Sequence, residues 1–130
     1  MKGQENNHKN DVLIIEVDLF RASIEDAVKF RKILDREMAD GYNNIVIDLS
    51  TCSFIDSTFI GALVVTLKKL KLMDGQLKLV ITNKTIQNAV HLSKTVDIFN
   101  TYYTLDEAVN SNNSSKLEVD YKTERLSAVT

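Results

Sequence analysis

The run Asn44-Ile45-Val46-Ile47-Asp48-Leu49 constrains the fold most, because a segment so short and so apolar reads as a buried strand. Shortly after it, Ile60, Leu63, Leu67 and Leu70 recur at helical spacing, with Lys68, Lys69 and Lys71 gathered at the far end. The rest of the pattern repeats this strand-then-helix unit. Val12-Leu13-Ile14-Ile15-Glu16-Val17 suits a first strand, and Ala27, Phe30, Ile33, Leu34 and Met38 mark one face of a helix. That helix opens on Ser23 with Asp26 three residues later, similar to a capping box, and stops at Gly41. Asp74-Gly75 turns the chain into a further strand, Gln76-Leu77-Lys78-Leu79-Val80-Ile81. Asn83 can cap a helix through Ile86, Ala89, Val90 and Ser93, and Ile98-Phe99 with Thr101-Tyr102-Tyr103 suits a short last strand. Thr104 and Glu107 then form a capping box for Leu105-Asp106-Glu107-Ala108-Val109. The order β-α-β-α-β-α-β-α predicts one α/β domain with a mixed, largely parallel sheet and helices packed mainly on one face.

A chain of 130 residues with 44% hydrophobic content is one domain's worth. The Asn-rich start, residues 1–10, and the segment 111–130, which opens on Ser111-Asn112-Asn113-Ser114-Ser115, are expected to be flexible ends around a domain at 11–110. A net charge of −2, with Lys intermixed with Asp and Glu, points away from nucleic acid or an anionic membrane as main partner. The N-terminus lacks the apolar run of a signal peptide, and no segment has the length of apolar chain that spans a bilayer, so the expectation is a cytoplasmic protein without membrane insertion.

Little in the chain is suited to catalysis. Cys52, the one cysteine, excludes an internal disulfide, and with only His8 and His91 beside it no zinc spacing can be assembled. The four glycines are too dispersed for a phosphate-cradling loop. Ser57 lies in no nucleophile elbow, and neither histidine is a well-placed base for it. Asp48 suits a strand end and Asp56 a helix N-terminus, a more economical reading than a catalytic or metal-binding pair. A receiver-like site on Asp48 would need a carboxylate pair after the first strand and a lysine after a late strand; Glu16 and Asp18 only straddle the strand's end, and Lys84 is poorly matched. The expectation is therefore no enzyme, no cofactor and no metal.

What stands between strand and helix is Phe54-Ile55-Asp56-Ser57-Thr58-Phe59-Ile60-Gly61, with two hydroxyls and a carboxylate. Ser57 and Thr58 both accept hydrogen bonds from a first helical turn, so at least one of them is expected to be the N-cap. A phosphate on Ser57 would add roughly −1.5 to −2 charges at a helix N-terminus, where free N–H groups tolerate it, while repelling a partner surface built for a neutral hydroxyl.

Three phrases resemble, in order, the STAS domain of anti-sigma factor antagonists: Ile45-Val46-Ile47-Asp48-Leu49-Ser50 with Phe54-Ile55-Asp56-Ser57-Thr58, then Asp74-Gly75-Gln76-Leu77-Lys78-Leu79-Val80, then Ile98-Phe99-Asn100-Thr101-Tyr102-Tyr103-Thr104-Leu105-Asp106-Glu107-Ala108. The resemblance covers about Val12 to Val109. It implies Ser57 as an acceptor phosphorylated by an anti-sigma factor with a histidine-kinase-like ATPase fold, and Asp56, Thr58 and Phe59 as the neighbourhood of the switch. It further implies that the unphosphorylated protein binds the anti-sigma factor and frees a sigma factor, and that a PP2C-type phosphatase restores this form. The chain departs from the family pattern where Thr58-Phe59-Ile60 stand before Gly61, in place of small residues, and where the acidic phrase after the first strand is reduced to Glu16-Val17-Asp18. The other role the resemblance allows is a constitutive scaffold or accessory subunit of a stress-signalling or lipid-transport assembly, with Ser57 only a helix cap.

Overall fold

The computed structural model describes residues 8, 11–92, 99–111 and 120–127. Five strands form the main sheet: β1 (Val12–Asp18), β3 (Asn44–Asp48), β5 (Gln76–Val80), β6 (Asn100–Tyr102) and β7 (Tyr121–Ser127), in the order β6-β5-β3-β1-β7. Every described pairing in it is parallel, so the expected largely parallel sheet is parallel throughout these ladders. A separate pair, β2 (Arg21–Ala22) and β4 (Phe54–Ile55), sits beyond the ends of β1 and β3. The helices are α1 (Ile24–Ala39), α2 (Ser57–Leu72), α3 (Lys84–Leu92) and α4 (Leu105–Asn110). The expected alternation therefore stands, with β2, β4 and β7 added to it.

Period-2 alternation along the strands divides the core in two. Leu13, Ile15 and Val17 of β1, Ile45 and Ile47 of β3, and Leu77 and Leu79 of β5 face the larger cluster, which Phe30 and Leu34 of α1, Phe59, Leu63, Leu67 and Leu70 of α2, and Ile86 of α3 complete. Ile14, Val46 and Val80 face the other way, against Ala108 of α4. Lys78 shares that second face and is buried, its Nζ donating to the Ala108 carbonyl at 3.2 Å, and burial pushes its pKa down.

The helix ends follow the chain's own chemistry. The Asp26 carboxylate accepts from both the backbone N–H and the hydroxyl of Ser23. Asn83 Oδ1 accepts from the Thr85 and Ile86 N–H groups, and Thr104 with Glu107 forms a reciprocal box. Gly41, at φ 105°, ends α1 in a conformation that glycine adopts without strain. Gly75 is required for space, since a Cβ there would lie 2.2 Å from the Asn43 carbonyl oxygen. Ser93 and Ile98, expected in a helix and a strand, lie outside the described residues, as does most of the start expected to be flexible. His8 is the exception, stacked on Tyr42 with centroids 4.3 Å apart and bonded to Asp11.

The second end differs from its expectation. Tyr121–Ser127, read as part of a flexible tail over 111–130, forms β7, paired with β1 along its whole length. Its hydrophobic pattern is weak because it is an edge strand held chiefly by backbone bonds and charge. Only Leu126 is buried in it. On the α1 side, Lys122 Nζ lies 2.8 Å from Glu37, and Arg36 bridges Glu37 and Glu124. Glu37 is 0% exposed. Burial alone pushes its carboxyl up, but the neighbouring Glu124 carboxyl and the hydrogen bonds that Glu37 accepts from Lys122 and Arg36 outweigh that and lower it.

Removing Lys122 leaves the buried Glu37 carboxylate with only the longer contact to Arg36, so Lys122→Met is expected to cost about 2 kcal/mol in urea unfolding at neutral pH, and Lys122→Met combined with Glu37→Met is expected to recover most of it. Because the folded-state pKa of Glu37 is lowered, its contribution is present above the ordinary carboxylate pKa and is lost as pH falls through the folded value. The stability gap between wild type and Lys122→Met should therefore narrow on acidification.

Candidate functional site

The site is built where the chain crosses from β4 into α2, beyond the carboxyl ends of the parallel strands. In the small sheet Arg21 pairs with Phe54 and Ala22 with Ile55. The Ser53 and Phe54 N–H groups both donate to the Phe20 carbonyl, at 2.8 and 3.0 Å, and the Asp56 N–H donates to the Ala22 carbonyl at 3.1 Å. The preceding turn is tied down as well. The Asp48 carboxylate accepts from the Ser50 N–H, and the Thr51 hydroxyl donates to the Val17 carbonyl. Cys52 is buried beside it, its Sγ 3.1 Å from the Phe54 carbonyl oxygen, and burial raises its thiol pKa. Asp48 is thus a turn-forming carboxylate. Among the described residues no cluster of His, Cys, Asp and Glu could hold a metal ion.

The cap is not the residue expected from sequence. Asp56, extended at φ −93° and ψ 170°, is the N-cap of α2, and its Oδ1 accepts from the Phe59 N–H at 3.0 Å. The Asp56 carbonyl takes the Ile60 N–H. Ser57 and Thr58 are therefore the first two helical residues, both exposed. Aspartate caps as well as serine does, and its position one residue earlier decides which oxygen faces the turn. The Ser57 hydroxyl makes no hydrogen bond among the described residues, and the N–H groups of Ser57 and Thr58 are left at the head of the helix. A hydroxyl that the fold does not use thus stands beside two unfilled donors and the positive end of a helix dipole.

Phe59 is the second correction. Expected in the neighbourhood of the switch, it is 0% exposed and packs on Phe30 with ring centroids 4.8 Å apart. The helical period decides this: Phe59 lies on the same face as Ile60, Leu63, Leu67 and Leu70, all buried. In place of Phe59, the surface beside the motif carries Phe20 and Phe54, 67% and 43% exposed and meeting edge to face at 5.5 Å, with the Arg21 guanidinium 5.3 Å from the Phe54 centroid. Sequence reasoning missed Phe20 and Arg21, because a two-residue strand is too short to show a period. The adjacency of Phe20 and Arg21 at the end of the first strand was the only signal available.

One more residue on α2 is unexplained by the fold. Gly61 is exposed, helical, and a Cβ added to it would meet nothing within 4 Å. Glycine inside a helix costs about 0.5–1 kcal/mol relative to alanine, and among the described residues no close contact at Gly61 offsets that.

Three substitutions separate the roles. Asp56→Ala is expected to lower stability by about 1 kcal/mol through loss of the cap, and Phe59→Ala by about 3–5 kcal/mol through a core cavity. Ser57→Ala should stay within about 0.5 kcal/mol of wild type, since an exposed first-turn alanine is well tolerated. Urea unfolding of the three variants checks the order.

The STAS domain family model matches residues 7–108. A protein of Thermotoga maritima named "Putative anti-sigma factor antagonist" is 31% identical over 100 residues, 76% of this chain and 88% of that protein. A second, from Thermotoga neapolitana and named "Putative anti-sigma factor antagonist TM1081 homolog", is 32% identical over 88 residues, 67% of this chain and 78% of that one. The solved structure titled "NMR Structure of the protein TM1081" superposes with a TM-score of 0.69 at 29% identity, over 82% of this chain and 85% of that one. With the family pattern matched over most of its length and its parallel sheet and helices superposing on a solved relative, the chain belongs to the STAS domain family, in its anti-sigma factor antagonist-like branch.

Proposed function

We propose that the protein is a phosphorylation-gated antagonist of an anti-sigma factor, acting by binding and not by catalysis. Unphosphorylated, it would hold an anti-sigma factor of histidine-kinase-like ATPase fold and so release a sigma factor in the cytoplasm. The anti-sigma factor would move the γ-phosphoryl group of ATP to the Ser57 oxygen, with ADP leaving and the hydroxyl proton passing to the kinase. A PP2C-type phosphatase would return Ser57 to the free hydroxyl by hydrolysis. Asp56 and Thr58 would flank the acceptor at the docking surface.

The observation that carries this reading is the division of labour between Asp56 and Ser57. The carboxylate of Asp56 supplies the cap, so the exposed Ser57 hydroxyl is left without a structural task. That favours the switch over a constitutive scaffold in which Ser57 serves only as a cap. The helix start can also carry the modified state. A phosphate there meets the N–H groups of Ser57 and Thr58 and the dipole, which offset its repulsion by Asp56, so the fold survives. A docked partner instead faces roughly −1.5 to −2 added charges in a desolvated contact. A penalty of about 3 kcal/mol there weakens binding more than a hundredfold.

The test is paired affinity capture from the source cell's lysate with wild-type and Ser57→Asp baits, followed by mass spectrometry. The expected result is an anti-sigma factor retained by wild type and lost from a Ser57→Asp variant whose thermal unfolding is unchanged. Equal retention of the same proteins by both baits would sink the switch and favour the scaffold.

A further inference from the structure

β7 ends one side of the main sheet, and no described strand pairs with its outer edge. The Val12 N–H donates to the Asp120 carbonyl, and the register with β1 runs unbroken from Tyr121 to Ser127. Backbone groups alternate in direction along a strand. Those of Lys122 and Glu124 therefore turn to β1, while the N–H and C=O groups of Tyr121, Thr123 and Arg125 point outward. The opposite edge, β6, is three residues long, whereas β7 runs for seven with no proline and no bulge against β1. Shortness, proline and bulges are the usual guards of an edge against a further strand, so β7 is left with charge alone.

That charge selects a second copy of the same strand. An antiparallel copy, related by a two-fold axis normal to the sheet, must set outward-pointing residues opposite one another. Of the registers that overlap the middle of the strand, those centred on Lys122, Glu124 or Arg125 set a charged residue against its own kind. Centring on Thr123 instead sets Lys122 opposite Glu124 of the second copy on the α1 side, and Tyr121 opposite Arg125 on the other, with Thr123 facing itself. Each is a favourable cross-strand pair. The side chains have surface free for it, Lys122 being 41% exposed, Glu124 24%, Arg125 64% and Tyr121 51%. We propose that two copies of the chain pair through β7, antiparallel and centred on Thr123, joining their five-stranded sheets into one. The strand lies beyond residues 7–108 matched by the family, and the interface stands independently of the function given above.

The experiment uses the full chain at neutral pH. Light scattering on wild type over about 1–200 μM is expected to show the mass pass from monomer to dimer. Thr123→Pro removes an N–H that β1 does not use, and it is expected to weaken the dimer at least about a hundredfold with the circular dichroism spectrum unchanged. Register is read by oxidative cross-linking, from which the buried Cys52 is shielded. Thr123→Cys is expected to couple to itself, since hydrogen-bonded partners bring their Cα atoms to about 5.5 Å, while Tyr121→Cys and Arg125→Cys couple only when mixed. A wild type that stays monomeric up to about 200 μM overturns the proposal. So does a dimer whose Thr123→Cys form does not cross-link, because the copies then meet elsewhere or in another register. Should Thr123→Pro fail to fold, the cross-linking pattern still decides.

Discussion

The fold depends on covering β3 on both faces. Ile45 and Ile47 point to one side of the sheet and Val46 to the other, and all three are buried. A central parallel strand of this kind cannot stand against water on either side, so helices must lie over both faces. Here α1, α2 and α3 contribute to the larger cluster, and the short α4 covers the smaller one. Parallel pairing then forces every crossover to return over the sheet, so that each helix begins near the carboxyl ends of the strands. The segment 54–61 lies at that end because α2 leads from β3, by way of β4, back over the sheet to β5.

That placement would be of little use without rigid support. The β2 and β4 pair, and the bonds from Ser53, Phe54 and Asp56 to the backbone of Phe20 and Ala22, hold the approach to α2 from outside the main sheet. Inside, the Phe30 and Phe59 rings lock the first turn of α2 against α1. Between these two restraints Asp56 closes the helix end, and Ser57 faces outward with its hydroxyl uncommitted. The cap and the exposed hydroxyl thus fall to adjacent residues, so a change at Ser57 need not disturb the cap at Asp56.

The alternation of elements was legible because it rests on hydrophobic period alone. Runs such as 12–17 and 45–47, and the spacing of Ile60, Leu63, Leu67 and Leu70, require no knowledge of neighbours. Caps at Ser23, Asn83 and Thr104 were legible for a similar reason, since each is a contact within four residues of sequence. The start of a helix within 54–61 was legible, but the residue that caps it was not. A shift of one residue in where α2 begins transfers the cap from Ser57 to Asp56, while Phe59 goes to the core because it shares the helical face of Ile60, Leu63 and Leu67. Sequence period leaves helix ends uncertain by about that much.

The amino-acid sequence by itself determined the class of fold and the order of its main strands and helices, because these follow from local patterns of burial and capping. Tertiary structure alone decided the rest. Tyr121–Ser127 became a strand because β1 offered an open edge and α1 offered the buried Glu37 for Lys122, partners far away in sequence. Phe20 and Arg21 joined the site because β2 found β4 across the chain. Long-range pairing by backbone bonds and charge leaves no hydrophobic period behind it, so it can be seen only when the distant segments are in place.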